Sequence, residues 1–266
     1  MAELRQSLTV MVRVIHAIII REARTRYGSS QLGYLWALID PVILLIVLIA
    51  VFAAIGRSTP IAVPLPVFFL SGIMPFYYWR GGFSRGATAV SANLGLISYP
   101  QVMPSDIIIG RTLLEGATTL IVFFIIINLF YLVLGIPLAV YFGDPVQMLL
   151  ATAGLFYFTL GFAFLSAGIG RILPVWSNIQ SYISRPLLIL SGVFFTLEQL
   201  PSSFRQYMAY NPVAHQIEWM RTAMFESFDS NSYSVTFVLA SATIALLLGL
   251  IIDRMLLLTG DEEIVS

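Results

Sequence analysis

The chain has 266 residues, 58% of them hydrophobic and 11% charged, with a formal net charge of zero, whereas a water-soluble domain carries about a quarter charged residues. It has no cysteine and all 14 of its basic residues are arginine. That excludes disulfides, thiolate metal sites and a P-loop, whose lysine must reach the nucleotide phosphates.

The first segment, residues 1–27, reads as an amphipathic interface helix. Leu4, Leu8, Met11, Val12, Ile15, Ile18 and Ile19 recur on one arc, with Arg5, Gln6, Thr9, Arg13 and His16 on the other. Such a helix rests its apolar side on acyl chains. Glu22 and Arg26 then continue the apolar stripe, so past about residue 21 the chain has to face water, headgroups or protein. The opening MAELRQS has no compact apolar core before a small-residue cleavage site, so no signal peptide is expected.

Six membrane-spanning helices are expected, over about 34–56, 64–83, 112–135, 147–170, 176–197 and 235–255, each near the length needed to cross about 30 Å of hydrocarbon. With both termini cytoplasmic, Arg5, Arg13, Arg21, Arg24, Arg26, Arg80, Arg85, Arg111, Arg171 and Arg254 fall inside, against Arg57, Arg205 and Arg221 outside. That asymmetry obeys the positive-inside rule. The fold class is therefore an all-α polytopic membrane protein, one transmembrane domain over 1–266.

Within the first span, Asp40-Pro41 interrupts the apolar run. Proline removes a helix donor and aspartate suits the cap before it. Tyr34–Ile39 then forms either a separate angled turn or the capped start of the helix. After the second span, residues 84–106 form a long loop with apolar Leu94, Leu96, Ile97 and Tyr99, which either meet a soluble partner or fold back on the membrane. Glu115, four residues after Arg111, reads as half of a helical ion pair. Gly154, Gly161 and Gly168 repeat every seventh residue, the spacing of a closely packed helix face.

The fifth span is unusually polar. Ser177, Ser181, Ser184 and Ser191 lie on one stripe near Arg185, as on a pathway-lining helix or a small-residue packing face. Aromatic residues cluster at Phe76-Tyr77-Tyr78-Trp79 and Phe156-Tyr157-Phe158, suiting a membrane-interface belt or stacking on sugars. Residues 198–234 contain a helix start at Asn211-Pro212. Val213, Ile217, Met220 and Met224 follow on one side, with His215, Glu218 and Thr222 opposite. This segment reads as a re-entrant or interfacial amphipathic helix, either a gate or inert.

Catalysis has little to stand on. Asp40, Glu115 and Asp253 are close to span ends rather than paired at depth, and His16 and His215 have no metal-ligand spacing. No cofactor or metal site is expected in this chain, and the zero net charge gives no nucleic-acid footprint. A conduit without its own power source is what remains.

The stretch REARTRYGSSQLGYLWALIDP, residues 21–41, resembles the opening motif of ABC-transporter permeases of the polysaccharide-export (ABC-2) class. SGIMPFYYWR, LISYPQVMPSDIIIGRTLLEG and NPVAHQIEWMR agree in the same order. The capsular-polysaccharide branch, the KpsM-type permeases, is the most similar, with Tyr-Pro followed by Pro-x-Asp in the second cytosolic loop. Asp40 stands where relatives often have Glu or Asn.

The resemblance implies a homodimer of six-span subunits with two copies of a separate cytosolic ATPase, which alone would hold ATP and Mg. It would export lipid-linked capsular polysaccharide across a bacterial inner membrane, alongside a periplasmic or inner-membrane adaptor and an outer-membrane exporter. Asn93, Leu94, Gly95, Leu96, Ile97 and Tyr99 match the segment that docks on the ATPase. Arg21, Arg24, Arg26 and Tyr27 lie where the lipid headgroup would be admitted, although positive-inside anchoring explains the same arginines. Tyr34, Trp36, Phe76, Tyr77, Ser177, Ser181, Ser184, Arg185 and Ser191 would border the channel. Asn211, Pro212, His215, Glu218 and Arg221 would belong to the periplasmic gate. Other classes consistent with the sequence are a permease for O-antigen or teichoic-acid type glycans, a drug exporter and a membrane glycolipid enzyme.

Overall fold

The computed structural model describes the backbone of residues 2–27, 33–56 and 58–259, and side chains within those ranges except 2–7, 26–27, 33–36 and 259. Among the described residues the regular structure is entirely helical. The helices are α1 (Ala2–Tyr27), α2 (Gly33–Ile55), α3 (Leu65–Ala87), α4 (Leu94–Ile97), α5 (Pro104–Leu134), α6 (Pro145–Ile172), α7 (Trp176–Leu190), α8 (Ser202–Met208), α9 (Pro212–Met224) and α10 (Val235–Thr259). Four of them, α2, α5, α6 and α10, are long and apolar enough to cross a membrane.

Proline and a short acceptor set the starts of α5, α6 and α9. Asp144 accepts the N–H groups of Val146 and Gln147 at 2.8 and 3.1 Å, with Pro145 at the first helical position. Asn211 does the same for Val213 and Ala214 ahead of Pro212, at 3.0 and 3.4 Å, as its sequence predicts. In the Pro-x-Asp stretch, Pro104 opens α5 and the Asp106 carboxylate accepts the Met103 N–H at 3.0 Å. The helices on both sides thus run into the stretch read as a loop over 84–106.

α3 is the hub. It touches α2, α5, α6, α7 and α9, and nearly every residue from Val67 to Trp79 is buried. Glycine brings its neighbours close. A Cβ at Gly86 would land on the carbonyl oxygen of Ala163 in α6, and one at Gly161 on that of Ala242 in α10. The seven-residue glycine pattern is therefore a packing face, Gly154 meeting Trp219 of α9 while Gly161 and Gly168 meet α10. Arg171 and Asp253 fasten the far ends of α6 and α10 at 2.5 Å.

Three sequence expectations change. α2 neither breaks nor starts at Asp40-Pro41; it runs unbroken from Gly33. Proline frees the carbonyl four residues back, that of Ala37, and Ala37 lines a polar cavity, where such a group is tolerated. The helix within the expected fifth span ends at Leu190, and Gly192, at φ 76°, turns the chain. Pro41 and Pro186 thus both sit inside helices. Finally, α1 does not give its whole apolar arc to lipid. Ile15 and Ile18 are buried beside Ile107, Ile108 and Gly110 of α5, while Leu8 and Val12 stay exposed.

Candidate functional site

Charged residues from three helices, α1, α3 and α5, converge with Asn93 where α1 ends. The Glu22 carboxylate is the centre. It takes the Arg111 Nε–H of α5 at 2.9 Å and the Asn93 amide at 3.2 Å. Arg21 donates to the Asn93 side-chain oxygen at 2.7 Å, and the Asn93 amide also reaches the Ala89 carbonyl at 2.9 Å. Asn93 directly precedes α4, so it ties that short helix to α1. Arg111 further donates to the carbonyls of Arg85 and Thr88, where α3 ends, at 3.4 and 3.2 Å. The expected helical pair of Arg111 with Glu115 is not the one formed. Arg111 pairs with Glu22 at 2.8 Å, and Glu115 pairs with Arg85 at 2.6 Å. Partners across helices win because both side chains point into inter-helix space rather than along the surface of α5.

The Arg85–Glu115 pair is also part of a cavity wall. A polar cavity of about 720 Å³ opens between α2, α3, α5 and α7, lined by Asp40, Tyr77, Arg80, Ser84, Arg85, Glu115, Thr118, Ser177 and Gln180 among others. The Arg80 guanidinium lies 5.6 Å from the centre of the Tyr77 ring. Gln180 is buried and donates to Ser84 Oγ at 2.9 Å, while its amide oxygen has no partner among the described residues. Polar groups between membrane helices are costly unless they face a wet pathway or one another. These residues can bind an anion through arginine and hydroxyls through amide and serine, and their volume fits a small-molecule site.

The sequence candidates distribute as follows. Tyr77 and Ser177 line the cavity. Phe76, Tyr78 and Trp79 form neither a belt nor a sugar platform but a buried core, Phe76 wholly enclosed 5.6 Å from Trp79, which stacks on Phe83. Of the other cluster, Phe158 is buried and the Tyr157 hydroxyl pairs with Thr243 at 2.9 Å. Ser181 and Ser184 bond back to the carbonyls of Asn178 and Gln180 within α7. Arg185 is exposed, over the Tyr182 ring, and Ser191 is buried against Asn211. Arg24 is exposed, and the side chains of Arg26, Tyr27, Tyr34 and Trp36 lie outside the described residues. In the segment expected to dock on an ATPase, Leu94, Gly95 and Tyr99 are exposed, whereas Leu96 and Ile97 pack inward near Ile18 and Ala89. Arg80 is a cavity residue that sequence reasoning misses. A basic residue ending a span reads as ordinary anchoring.

At the opposite end, α9 is not a surface amphipath: its polar side is buried with its apolar one. Arg221 is fully enclosed. It donates to the carbonyls of Gly192, Phe195 and Val193 at 2.5, 2.9 and 3.0 Å and to Ser71 Oγ at 3.2 Å, with its guanidinium 4.3 Å from the Phe68 ring centre. Glu218 accepts from Leu197 N–H and the Ser230 hydroxyl at 3.2 and 3.1 Å, with Arg221 at 3.8 Å. Burial raises the Glu218 carboxyl above its ordinary range, opposed by the Arg221 charge. His215 is neutral: Nδ1 accepts the Ser234 N–H at 2.9 Å, leaving Nε2–H to donate to the Ala209 carbonyl at 3.1 Å. Burial holds its pKa below the usual imidazole value. Asn211 caps α9 and also donates to the Leu190 carbonyl at 3.1 Å, with Pro212 beside it.

Residues 13–225 match the family model described as ABC-2 type transporter. The chain belongs to the ABC-2 transporter family. This ABC-2 protein is similar along nearly its whole length to the polysialic acid transport protein KpsM of Escherichia coli, 30% identical over 94% of this chain and 96% of the relative. The capsule polysaccharide export inner-membrane protein CtrC of Neisseria meningitidis serogroup A is 28% identical, over 92% of this chain and 91% of its own. BexB of Haemophilus influenzae, of the same description, is 28% identical over 94% and 93%. Both the Glu22 junction and the polar cavity, whose lining runs from Ala37 to Gln180, fall inside the matched residues of this ABC-2 chain.

Proposed function

We propose that this chain is the permease subunit of an ATP-driven exporter of lipid-linked capsular polysaccharide in a bacterial inner membrane. Two copies form the channel, and each binds a separate ATPase through exposed Leu94 and Tyr99. α3 and α7 complete six spans with α2, α5, α6 and α10. Both termini are cytoplasmic, and residues 198–234 lie at the periplasmic end. The glycolipid head is admitted to the polar cavity, where Arg80 meets its anionic group and Gln180 a sugar hydroxyl. Arg21 serves the junction instead, and Arg24 attracts anionic headgroups at the portal.

One observation carries this reading: a continuous line of polar contacts from the docking segment to the cavity wall. It runs from Asn93 to Glu22, Arg111, the end of α3, and then Arg85 with Glu115. Force on α4 therefore reaches the groups around the substrate. A pair of substitutions, Leu94→Asp with Tyr99→Asp, tests it. Copurification with the cognate ATPase in mild detergent is expected to fail while the permease stays in the membrane. An intact, exporting complex would refute the docking assignment.

A further inference from the structure

A second cavity lies on the other face of the α3–α5 pair and differs from the first in kind. It measures about 460 Å³, between α3, α5, α6 and α9, and no charged residue lines it. Its inner wall is soft: Met74, Met148, Met220 and Met224, four of the nine methionines in the chain. Methionine adapts to irregular apolar shapes and recurs on surfaces that take pliable partners. The mouth is formed by Ala117, Leu120 and Phe124 of α5, all exposed. Gly143 and Asp144 close one end by donating to the carbonyls of Met224 and Ala223 at 3.0 and 3.2 Å.

What fills such a space follows from its surroundings. None of the buried polar atoms lacking a partner among the described residues belongs to a residue of this lining, so no group there calls for water, and apolar cavities stay dry while accepting hydrocarbon. The mouth lies midway along α5, a helix of membrane length, where the surrounding medium is lipid. Without charge the site cannot hold a headgroup. We propose that this cavity is a binding site for one acyl chain of a bilayer phospholipid, which enters sideways past Ala117 and Leu120 and reaches Met220 and Met224. The site shares Met74 and Thr119 with the polar cavity as a common wall, carries none of that cavity's charges, and does not depend on what the protein exports.

The test uses the full chain in vesicles of palmitoyl-oleoyl phosphatidylcholine containing no glycolipid and a trace of the same lipid with a diazirine in one acyl chain. After photolysis, crosslinks are mapped by mass spectrometry. Labelling of Met220 and Met224, which are 6% and 3% exposed and out of reach of lipid merely lying around the protein, is the expected result. Ala117→Phe, which fills the mouth, lowers that labelling by roughly an order of magnitude and leaves labelling at Leu132, on the outer side of α5, unchanged. Thr152→Phe does the same from the α6 wall if the first variant folds poorly. Absence of label at Met220 and Met224 in the unaltered chain overturns the proposal. So does undiminished label in a folded Ala117→Phe variant.

Discussion

Two charged regions of this ABC-2 protein use the same residue types to opposite ends. Around α9, Arg221 and Glu218 are 0% and 1% exposed, and the arginine donates to four protein acceptors. At the α1 end, Glu22, Arg111 and Arg85 are paired but partly open, and Arg85 with the buried Glu115 borders a cavity of about 720 Å³. A buried charge whose bonds are all internal can only hold a structure. Charges whose partners are spread over α1, α3, α5 and Asn93 beside an opening can change them. Burial, more than residue type, separates the lock from the site.

The largest effect is expected at the lock. Arg221→Leu strands several buried carbonyls and leaves Glu218 without its counter-charge, a loss of about 3–5 kcal/mol, much of the margin of an ordinary domain. Membrane abundance and thermal unfolding in detergent measure it. A stable, abundant Arg221→Leu protein that fails only in export would erase the contrast drawn above. Gly161→Leu forces α6 from α10 at the Ala242 carbonyl and is expected to cost about 1–3 kcal/mol by the same assay.

Smaller effects on stability, with larger ones on export, belong to the open region. Glu22→Gln keeps the shape but removes the charge that Arg111 meets. The expected loss of coupling is about 0.5–2 kcal/mol, read as a several-fold fall in export at unchanged abundance. A double-mutant cycle with Arg111→Gln assigns it to the pair. Arg80→Gln is expected to leave stability within about 0.5 kcal/mol while glycolipid accumulates inside the cell. If instead both variants unfold, the junction is a second lock.

The smallest effect is a pH slope. His215 has its pKa lowered by burial, so the folded state binds the proton less readily than the unfolded one. Stability is then complete above the ordinary value of about 6.5 and declines as pH falls through it. The unfolding temperature is expected to drop below that pH, and to drop less in His215→Gln.

Much of this was legible beforehand. The α9 start followed from Asn211-Pro212 and the α6 face from its glycine spacing, because each depends on local geometry that a few residues determine. What the sequence could not give depends on neighbours. The periodicity of α9 describes two faces correctly, yet a polar face looks the same whether water or the Ser71, Gly192 and Ser230 groups will meet it. Spacing offered Glu115 the nearby Arg111, but tertiary packing supplied Arg85. Pro41 looked like a break because its freed carbonyl needs a polar setting, and α3, α5 and α7 create that setting from afar. Aromatic Phe76–Trp79 matched a belt in composition, and the hub position of α3 buried three of the four.

The division of labour between this permease and a separate ATPase is tested most directly in vesicles. Protein reconstituted with lipid-linked capsular polysaccharide, with and without its cognate ATPase and ATP, is assayed for glycan inside the lumen. Accumulation only when the ATPase and ATP are both present is the expected result. Uphill accumulation driven by this chain alone would contradict the account at its root.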